Sequence, residues 1–526
     1  MAFDFPPLPP PGPPPRGDVP VAIVGAGPVG LALAIDLAQR GIATVVLDAK
    51  NRVSSGSRAI CWAKRTLEIF DRLGIGDRML AKGVTWTVGR LFHGEDEVYA
   101  FDLLPEAGHK YPAFVNLQQY YVEDYLIGRA RDFPALIDLR FHSAVTAHTD
   151  HGDHVTLRVE APEGAYDLKA DYLIACDGSA SPTRKRMDLP FKGQTFDEHF
   201  LIADVEMTEN PYASDAAERH FWFEPPFHPG ESALLHKQPD DIWRIDLQLS
   251  PDADRQAEAT EARVLPRLKK MLGDTPFRMD WLSVYRFRCA RLARFAHNRV
   301  IFAGDSAHVV SPFGARGGNG GVQDADNLGW KLAAVLRGAP ADLLATYDEE
   351  RGHAADENIL NSSRATTFMT PKTPMERLLR TEVLRLSHDH DAIRPFINSG
   401  RLSKPASYGG LTLQGASTGA PLPDAPVETV DGSRWLIEVV PGGAYLLILG
   451  APDVTAPSDL PVLRIAADGA PSDGKIIDTD GQARTRLGWD VAHLIRPDGH
   501  IAETLTRGDM ISALARLRLA HPVAAE

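Results

Sequence analysis

Cysteine is scarce. The three in 526 residues, Cys61, Cys176 and Cys289, cannot all pair, and none stands in a Cys-x-x-Cys spacing. Neither a disulfide framework nor a structural zinc site is expected, and no metal site is predicted. Positive charge is also short. Lys and Arg number 56 against 70 Asp and Glu, and the formal charge of -14 repels nucleic acid and anionic membrane surfaces. No run approaches the roughly 18 uncharged apolar residues of a membrane span. The start, MAFDFPPLPPPGPPPRGDVP, lacks the basic end and continuous apolar stretch of a secretion signal. These absences predict a cytoplasmic chain in a reducing compartment, with no nucleic-acid or membrane partner.

The composition is that of a globular protein, 44% apolar and 24% charged, and the length suggests two or three domains. Eight prolines between 6 and 15 predict a stiff extended tail lying on the surface. VPVAIVGAG reads as a buried parallel strand, GPVGLALAIDLAQRG as a helix closed by Gly41, and ATVVLDA as a second strand. From about 185 to 290 the pattern becomes strand-like and aromatic, with a charged helical interlude near 257 to 272. RVIFAGD restores a parallel-type strand, and 322 to 399 reads as helical. Past 400, Pro, Gly and Asp mark a boundary before a small α/β unit that ends in a helix, DMISALARLRL.

Three motifs stand at strand ends. Gly25-x-Gly27-x-x-Gly30 lies between strand and helix, with Pro28 and Val29 inside it, and Asp48-Ala49 ends the next strand. Such glycines permit a tight turn and let a helix N-terminus approach a pyrophosphate, while the acid accepts from a ribose hydroxyl. DYLIACDGSASPTRK then runs an apolar strand into Asp177-Gly178, followed by Ser181 and Arg184. GDSAHVVSPFGARGGNGGVQDADNLGWKL places Gly304-Asp305 at a third strand end, before five glycines between 314 and 321. Two further strand-end acids imply a ligand longer than the phosphates of one nucleotide.

The order GxGxxG, DG motif, GD motif resembles the flavin-dependent aromatic hydroxylases with the para-hydroxybenzoate hydroxylase fold, over about 20 to 400. The segment after 400, ending in LIRPDGHIAE, resembles the thioredoxin-like C-terminal domain of the phenol hydroxylase and 3-(3-hydroxyphenyl)propionate hydroxylase branch; without a Cys-x-x-Cys, redox activity there is not implied. The expected architecture is α/β. It has a Pro-rich tail (1–18), a Rossmann-like FAD-binding domain (19–184 and 291–400), an inserted mixed or antiparallel β-sheet domain for substrate (185–290) and a small thioredoxin-like domain (401–526).

The resemblance implies bound FAD and transient NADH or NADPH. Gly25, Gly27, Pro28, Val29 and Gly30 would flank the pyrophosphate, and Asp48 and Ala49 the adenosine ribose. Arg58 would meet the pyrophosphate or the flavin side, unless it forms a surface ion pair. Gln119 would face the FAD, and Asp177 and Gly178 would serve both FAD and the nicotinamide. Gly304 and Asp305 would hold the ribityl region, and Gly317, Gly318 and Asn319 the flavin edge. Bare backbone at Gly317, Gly318 and Gly320 would let a flat ring lie against peptide groups, before a helix starting near Val322. Pro312 would sit near the flavin C4a atom, and His308 reads as structural. Where the family pattern is PPxGGQGxN, this chain has Ser311 for the first proline and Arg316 for the glutamine. Arg316 could face an acidic substrate or pair with Asp324 or Asp326.

The implied activity is hydroxylation of a phenolic ring, with a carboxylated one as a candidate, by a flavin C4a-hydroperoxide. The expected partners are a small aromatic substrate and molecular oxygen, with a homodimer as the candidate assembly. On the inserted sheet, His220, Trp222, His236, Trp243, Arg244 and Tyr285 are substrate candidates, of which alternation turns about half away. His236 and Tyr285 are preferred for the phenol and Arg244 for a carboxylate. A halogenase or epoxidase of the same fold and a non-catalytic flavin-binding protein are the alternatives. The Trp-x-Trp-x-x-Pro signature of halogenases is absent.

Overall fold

The computed structural model describes residues 5–15, 17–56, 58–212, 217–250, 252–397, 403–415, 418–440, 442–458 and 460–517. Residues 1–4 and 16 of the expected tail, and the last residues of the expected terminal helix, lie outside these.

The strand Val19–Val24 is buried over its last four residues and leads directly into the helix Pro28–Gln39. It runs parallel between Thr44–Leu47 and Gly164–Ala175, and Val300–Phe302 runs parallel beyond the latter. Val24 pairs with Ala175, and Ala175 with Phe302. Three strands far apart in sequence thus end side by side. The residues after them, Gly25, Cys176-Asp177 and Ala303-Gly304-Asp305, form one crest. Apart from Asp167, Lys169 and Asp171 in Gly164–Ala175, uncharged residues fill these strands because both faces are covered there.

A second sheet of eight strands runs in the order His308–Val309, Arg278–Arg291, Lys192–Glu206, Ile242–Leu249, Ser232–Lys237, Arg219–Phe223, Val88–His93, Asp96–Asp102. Leu201, Ala203, Val205, Trp222, Trp243, Ile245 and Leu247 pack from one face onto the helix Glu261–Leu272 through Val264 and Leu268. The other face turns Phe200, Phe223 and Leu234 toward Phe313 and Met369. The division made from sequence gave this sheet only 185–290. It also takes Val88–Asp102, because Val88–His93 pairs in parallel with Arg219–Phe223 across more than a hundred residues.

The C-terminal part builds a third sheet, in which Tyr445–Leu449, Val462–Ala466 and Lys475–Ile477 are parallel and Val491–Ile495 and Ile501–Leu505 antiparallel. The proline tail lies on the first domain. Its prolines lack N–H groups, so Arg140 donates to the carbonyls of Gly12 and Pro13, at 3.2 and 2.6 Å, while the Leu8 amide donates to the Asn51 carbonyl at 2.6 Å. No helix among the described residues is long and apolar enough to cross a membrane.

Candidate active site

The crest opens on the first glycine motif. Gly25 has φ +111°, and a Cβ there would sit 2.3 Å from the carbonyl oxygen of Cys176. A Cβ at Gly30 would lie 2.0 Å from the oxygen of Gly25, so these two glycines serve the close approach of helix to strand. Gly27 is different: nothing lies within 4 Å of its Cβ position, and it stands at the N-terminus of Pro28–Gln39, which no side chain caps. The helix amides therefore face open space, as a pyrophosphate needs. Asp48 accepts from the amides of Ala26 and Lys50, both at 2.8 Å. That uses two of the roughly four acceptor positions of a carboxylate and leaves the rest for a ribose. Ala49 is exposed beside it.

Asp177 ties the second motif into a turn, accepting from the Ser181 hydroxyl at 2.5 Å and the Thr183 amide at 2.9 Å. Gly178 has φ +78° with open space at its Cβ position. Arg184 joins the second motif to the third, donating to the carbonyls of Ser179 and Ser306 at 2.6 and 2.8 Å. Asp305 is accessible from the cleft, yet protein surrounds it. That poor solvation raises its carboxyl above the ordinary value, against the pull of His308, Arg184 and Arg58. Arg58 is exposed on the same cleft. Gln119 does not stand free: it accepts from the Ala59 amide at 3.2 Å and donates to Glu123 at 2.7 Å, and Glu123 holds the Ser54 amide at 2.5 Å. It shapes the loop that carries Arg58.

The glycine-rich segment departs from expectation in one respect. Its helix is Gly317–Leu336, five residues earlier than predicted, and no side chain caps it. The glycines are thus the first turn itself. Gly318 is short of a side chain because Ala59 and Trp62 would lie 3.3 and 3.5 Å from its Cβ, and Gly321 because Val29 would lie at 2.7 Å. Gly320 meets Asn358 and His308 at 3.4 Å, whereas Gly317 meets only Val310, at 3.8 Å. Gly317 is therefore the barest of the run. Val29 also backs Gly304, so it props the third motif against the first. Asn319 clamps the segment, accepting from the Ala63 amide at 2.9 Å and donating to the Cys61 and Ala315 carbonyls at 2.9 and 2.6 Å. Pro312 is exposed on the cleft, and Phe313 packs edge-on to Phe200 at 5.0 Å.

His308 is bound to Asp324 at 2.7 Å, and Asp324 also receives the Gly304 amide at 2.9 Å and Arg351 at 2.6 Å. Arg316 pairs with neither acid considered from sequence. It is 5% exposed, donates to Asn358 at 3.0 Å, and burial lowers it to about 10. Ser311 accepts from the Thr366 hydroxyl at 2.9 Å.

Alternation divides the six sheet candidates. Trp222 and Trp243 belong to the core behind the sheet, and His220 packs edge-on to Trp222 at 5.4 Å. His236, Arg244 and Tyr285 share the face turned to the first domain. Arg244 lies opposite His236 on one side and Asp204 on the other; Tyr285 pairs with Phe200 and packs in the Phe313 cluster. His236 and Tyr285 are three strands and four residues apart in register, about 20 Å between backbones, so they do not hold one hydroxyl together. Arg244 donates to Asp246 at 2.9 Å and to the Arg58 carbonyl at 3.0 Å. His236 is 4% exposed, with Nε2 3.6 Å from Asp246 and Nδ1 buried without a partner. Burial, then Arg219 and Arg244, press it well below 6.5, so the imidazole is neutral. Sequence reasoning passed over Arg219, which opens the strand facing this cluster; with no glycine or acid motif around it, only its register in the folded sheet marks it.

The cleft fits FAD: an uncapped helix and open Gly27 for phosphates, acids at the ribose and ribityl positions, and a second uncapped helix beyond. The family described as FAD binding domain matches residues 18–362. The 12-dehydrotetracycline 5-monooxygenase/anhydrotetracycline 6-monooxygenase of Streptomyces rimosus subsp. rimosus is 32% identical over 506 residues, 92% of this chain and 95% of that protein. A probable NADH-specific resorcinol 4-hydroxylase of Rhodococcus jostii is 29% identical over 512 residues, 92% of each. Among solved structures, the OxyS anhydrotetracycline hydroxylase from Streptomyces rimosus superposes with a TM-score of 0.72 at 29% identity, over 96% of this chain and 100% of that one. Motifs, crest and relatives agree: the chain belongs to the FAD-binding domain family and is an FAD-dependent aromatic monooxygenase.

Proposed function

We propose that the chain hydroxylates a phenolic ring lying between Pro312 and the inner face of the large sheet, using NADH or NADPH. The observation that carries this reading is the meeting of three strand ends and two uncapped helix N-termini beside a sheet face with unpartnered polar atoms. FAD, when bound, supplies the chemistry: it takes hydride from the nicotinamide and activates oxygen. Gly25 to Gly30, Asp48, Arg58, Asp177, Gly178, Gly304 and Asp305 would hold it along the crest. The positive end of Gly317–Leu336 favours negative charge on its reduced ring. Pro312 offers no N–H to the cleft, so that side stays free of a donor.

The protein's own part in the reaction is proton handling and placement. His236, held neutral, accepts a phenol proton at Nδ1. Tyr285, about 20 Å away in register, meets another part of the substrate. A ring system longer than one benzene suits that spacing, as the name of the Streptomyces relative does; the resorcinol hydroxylase favours a single ring. The C-terminal unit keeps its thioredoxin-like reading as a proposal from the resemblance of its sequence; among the described residues no helix stands between its first two parallel strands, and it contains no cysteine.

The test is a panel of phenols, hydroxybenzoates, hydroxyphenylpropionates and polycyclic phenols given to the FAD-loaded protein. Substrate-stimulated nicotinamide oxidation with a hydroxylated product supports the reading. Peroxide release without product from every compound overturns it.

A further inference from the structure

The inner face of the large sheet gathers Arg219, His236, Arg244 and Asp246, with the Cys61 thiol beside them. Arg244 is spoken for: Asp246 and the Arg58 carbonyl take its donors, and Asp204 also compensates its charge. Asp246 holds Arg244 with one oxygen, has the other 3.6 Å from His236, and extends its charge to Arg219 without bonding it. Arg219 is left over. Its Nε is buried without a hydrogen-bond partner, no ion pair is found for it among the described residues, and its guanidinium lies 5.9 Å from the centre of the Trp86 ring.

An arginine cannot shed its proton, and a buried donor such as this Nε loses its water without gaining a protein partner. Burial, with Arg244 adding to it, presses this guanidinium below its ordinary value, and the nearby Cys61 and Asp246 only partly offset that. The residue as a whole is only half-buried, so it remains accessible. Nε with one terminal nitrogen is the side-on fork that meets both oxygens of a carboxylate. Nearby, Nδ1 of His236 and both polar side-chain atoms of Gln238, which is 1% exposed, are also buried and unpartnered. Three orphaned polar side chains on one face describe a polar ligand rather than a packing fault.

We infer that Arg219 is the specificity-determining residue for an aromatic substrate bearing a carboxylate, gripped by its guanidinium while His236 serves the ring hydroxyl. This rests on the hydroxylase reading and moves the carboxylate from Arg244 to Arg219. The probes are two matched pairs, 3-hydroxybenzoate with 3-hydroxybenzamide and 3-hydroxy-2-naphthoate with its carboxamide. Binding to the FAD-loaded protein is followed by the change in flavin absorbance. In at least one pair the carboxylate should bind at least tenfold tighter than the amide. Arg219→Gln should remove that advantage while leaving amide affinity within twofold, and Arg219→Lys should restore only part of it, since a point charge lacks the fork. Equal binding of acid and amide in both pairs, an advantage retained in Arg219→Gln, or no binding of any probe overturns the inference. Should Arg219→Gln not fold, the wild-type pairs still decide. Failure of the hydroxylase reading shows separately, as absence of bound FAD or of nicotinamide oxidation with any phenol.

Discussion

Two buried polar clusters in this chain differ in completeness. Between the first domain and the C-terminal sheet, Lys331, Glu350, Arg496 and Asp498 are all fully buried. Each meets an opposite charge: Lys331 lies 2.7 Å from Glu350, and Arg496 lies 2.5 Å from both Glu350 and Asp498. Trp330 adds a hydrogen bond to Asp498 at 3.0 Å. On the inner face of the large sheet, Arg219, His236 and Gln238 keep atoms with no partner. A network whose charges are all met fixes two domains against each other, even with single atoms of Gln414 and His500 left unpartnered at its edge. One built around an unpaired guanidinium is completed by something that arrives.

The comparison breaks first at Arg496. Arg496→Met strands Asp498 as a buried charge, leaves Glu350 with Lys331 alone, and should cost about 3–5 kcal/mol, read as a fall in melting temperature. A wild-type melting curve would mean that the closed cluster is not structural. On the open side, His236→Ala should slow hydroxylation about a hundredfold at unchanged flavin content, measured by single-turnover product formation. An unaltered rate would remove His236 from the reaction.

Gly27→Val sharpens the contrast within the crest. Its side chain enters empty space, so the apoprotein should melt as wild type while FAD affinity falls about tenfold, by flavin titration. An equal affinity would mean that the open space is not the phosphate site. The smallest expected effect is in acid. Burial works against the Glu350 carboxylate, but Arg496 and Lys331 outweigh it and hold it at about 2, below the ordinary 4.5. A depressed acid contributes stability that is complete above 4.5 and is lost as pH falls toward 2. Melting temperature should drop through that window, and by less in a Glu350→Gln variant.

How much of this was legible in sequence follows the range of each signal. Gly25 to Gly30, Asp177 and Asp305 announce themselves by local spacing at strand ends, and the crest needs only that those strands be parallel neighbours. The substrate face depends on register between distant strands. The six candidates of the inserted sheet could not be sorted before pairing placed His236, Arg244 and Tyr285 inward and the two tryptophans outward. The distance between His236 and Tyr285, the addition of Val88–Asp102, and Arg219 itself were hidden for the same reason. The start of Gly317–Leu336 was misplaced because glycine reads as a helix breaker, whereas here neighbours such as Ala59 and Val29 require the missing side chains.

In the proposed reaction this cleft inserts one oxygen atom from O2 into an aromatic ring. It is tested most directly by supplying 18O2, reduced nicotinamide and the phenol that best stimulates its oxidation to the FAD-loaded protein, then weighing the product. One 18O atom per hydroxylated product, and none from labelled water, is the expected result. Nicotinamide consumption that yields only labelled peroxide, or product oxygen drawn from water, would contradict it.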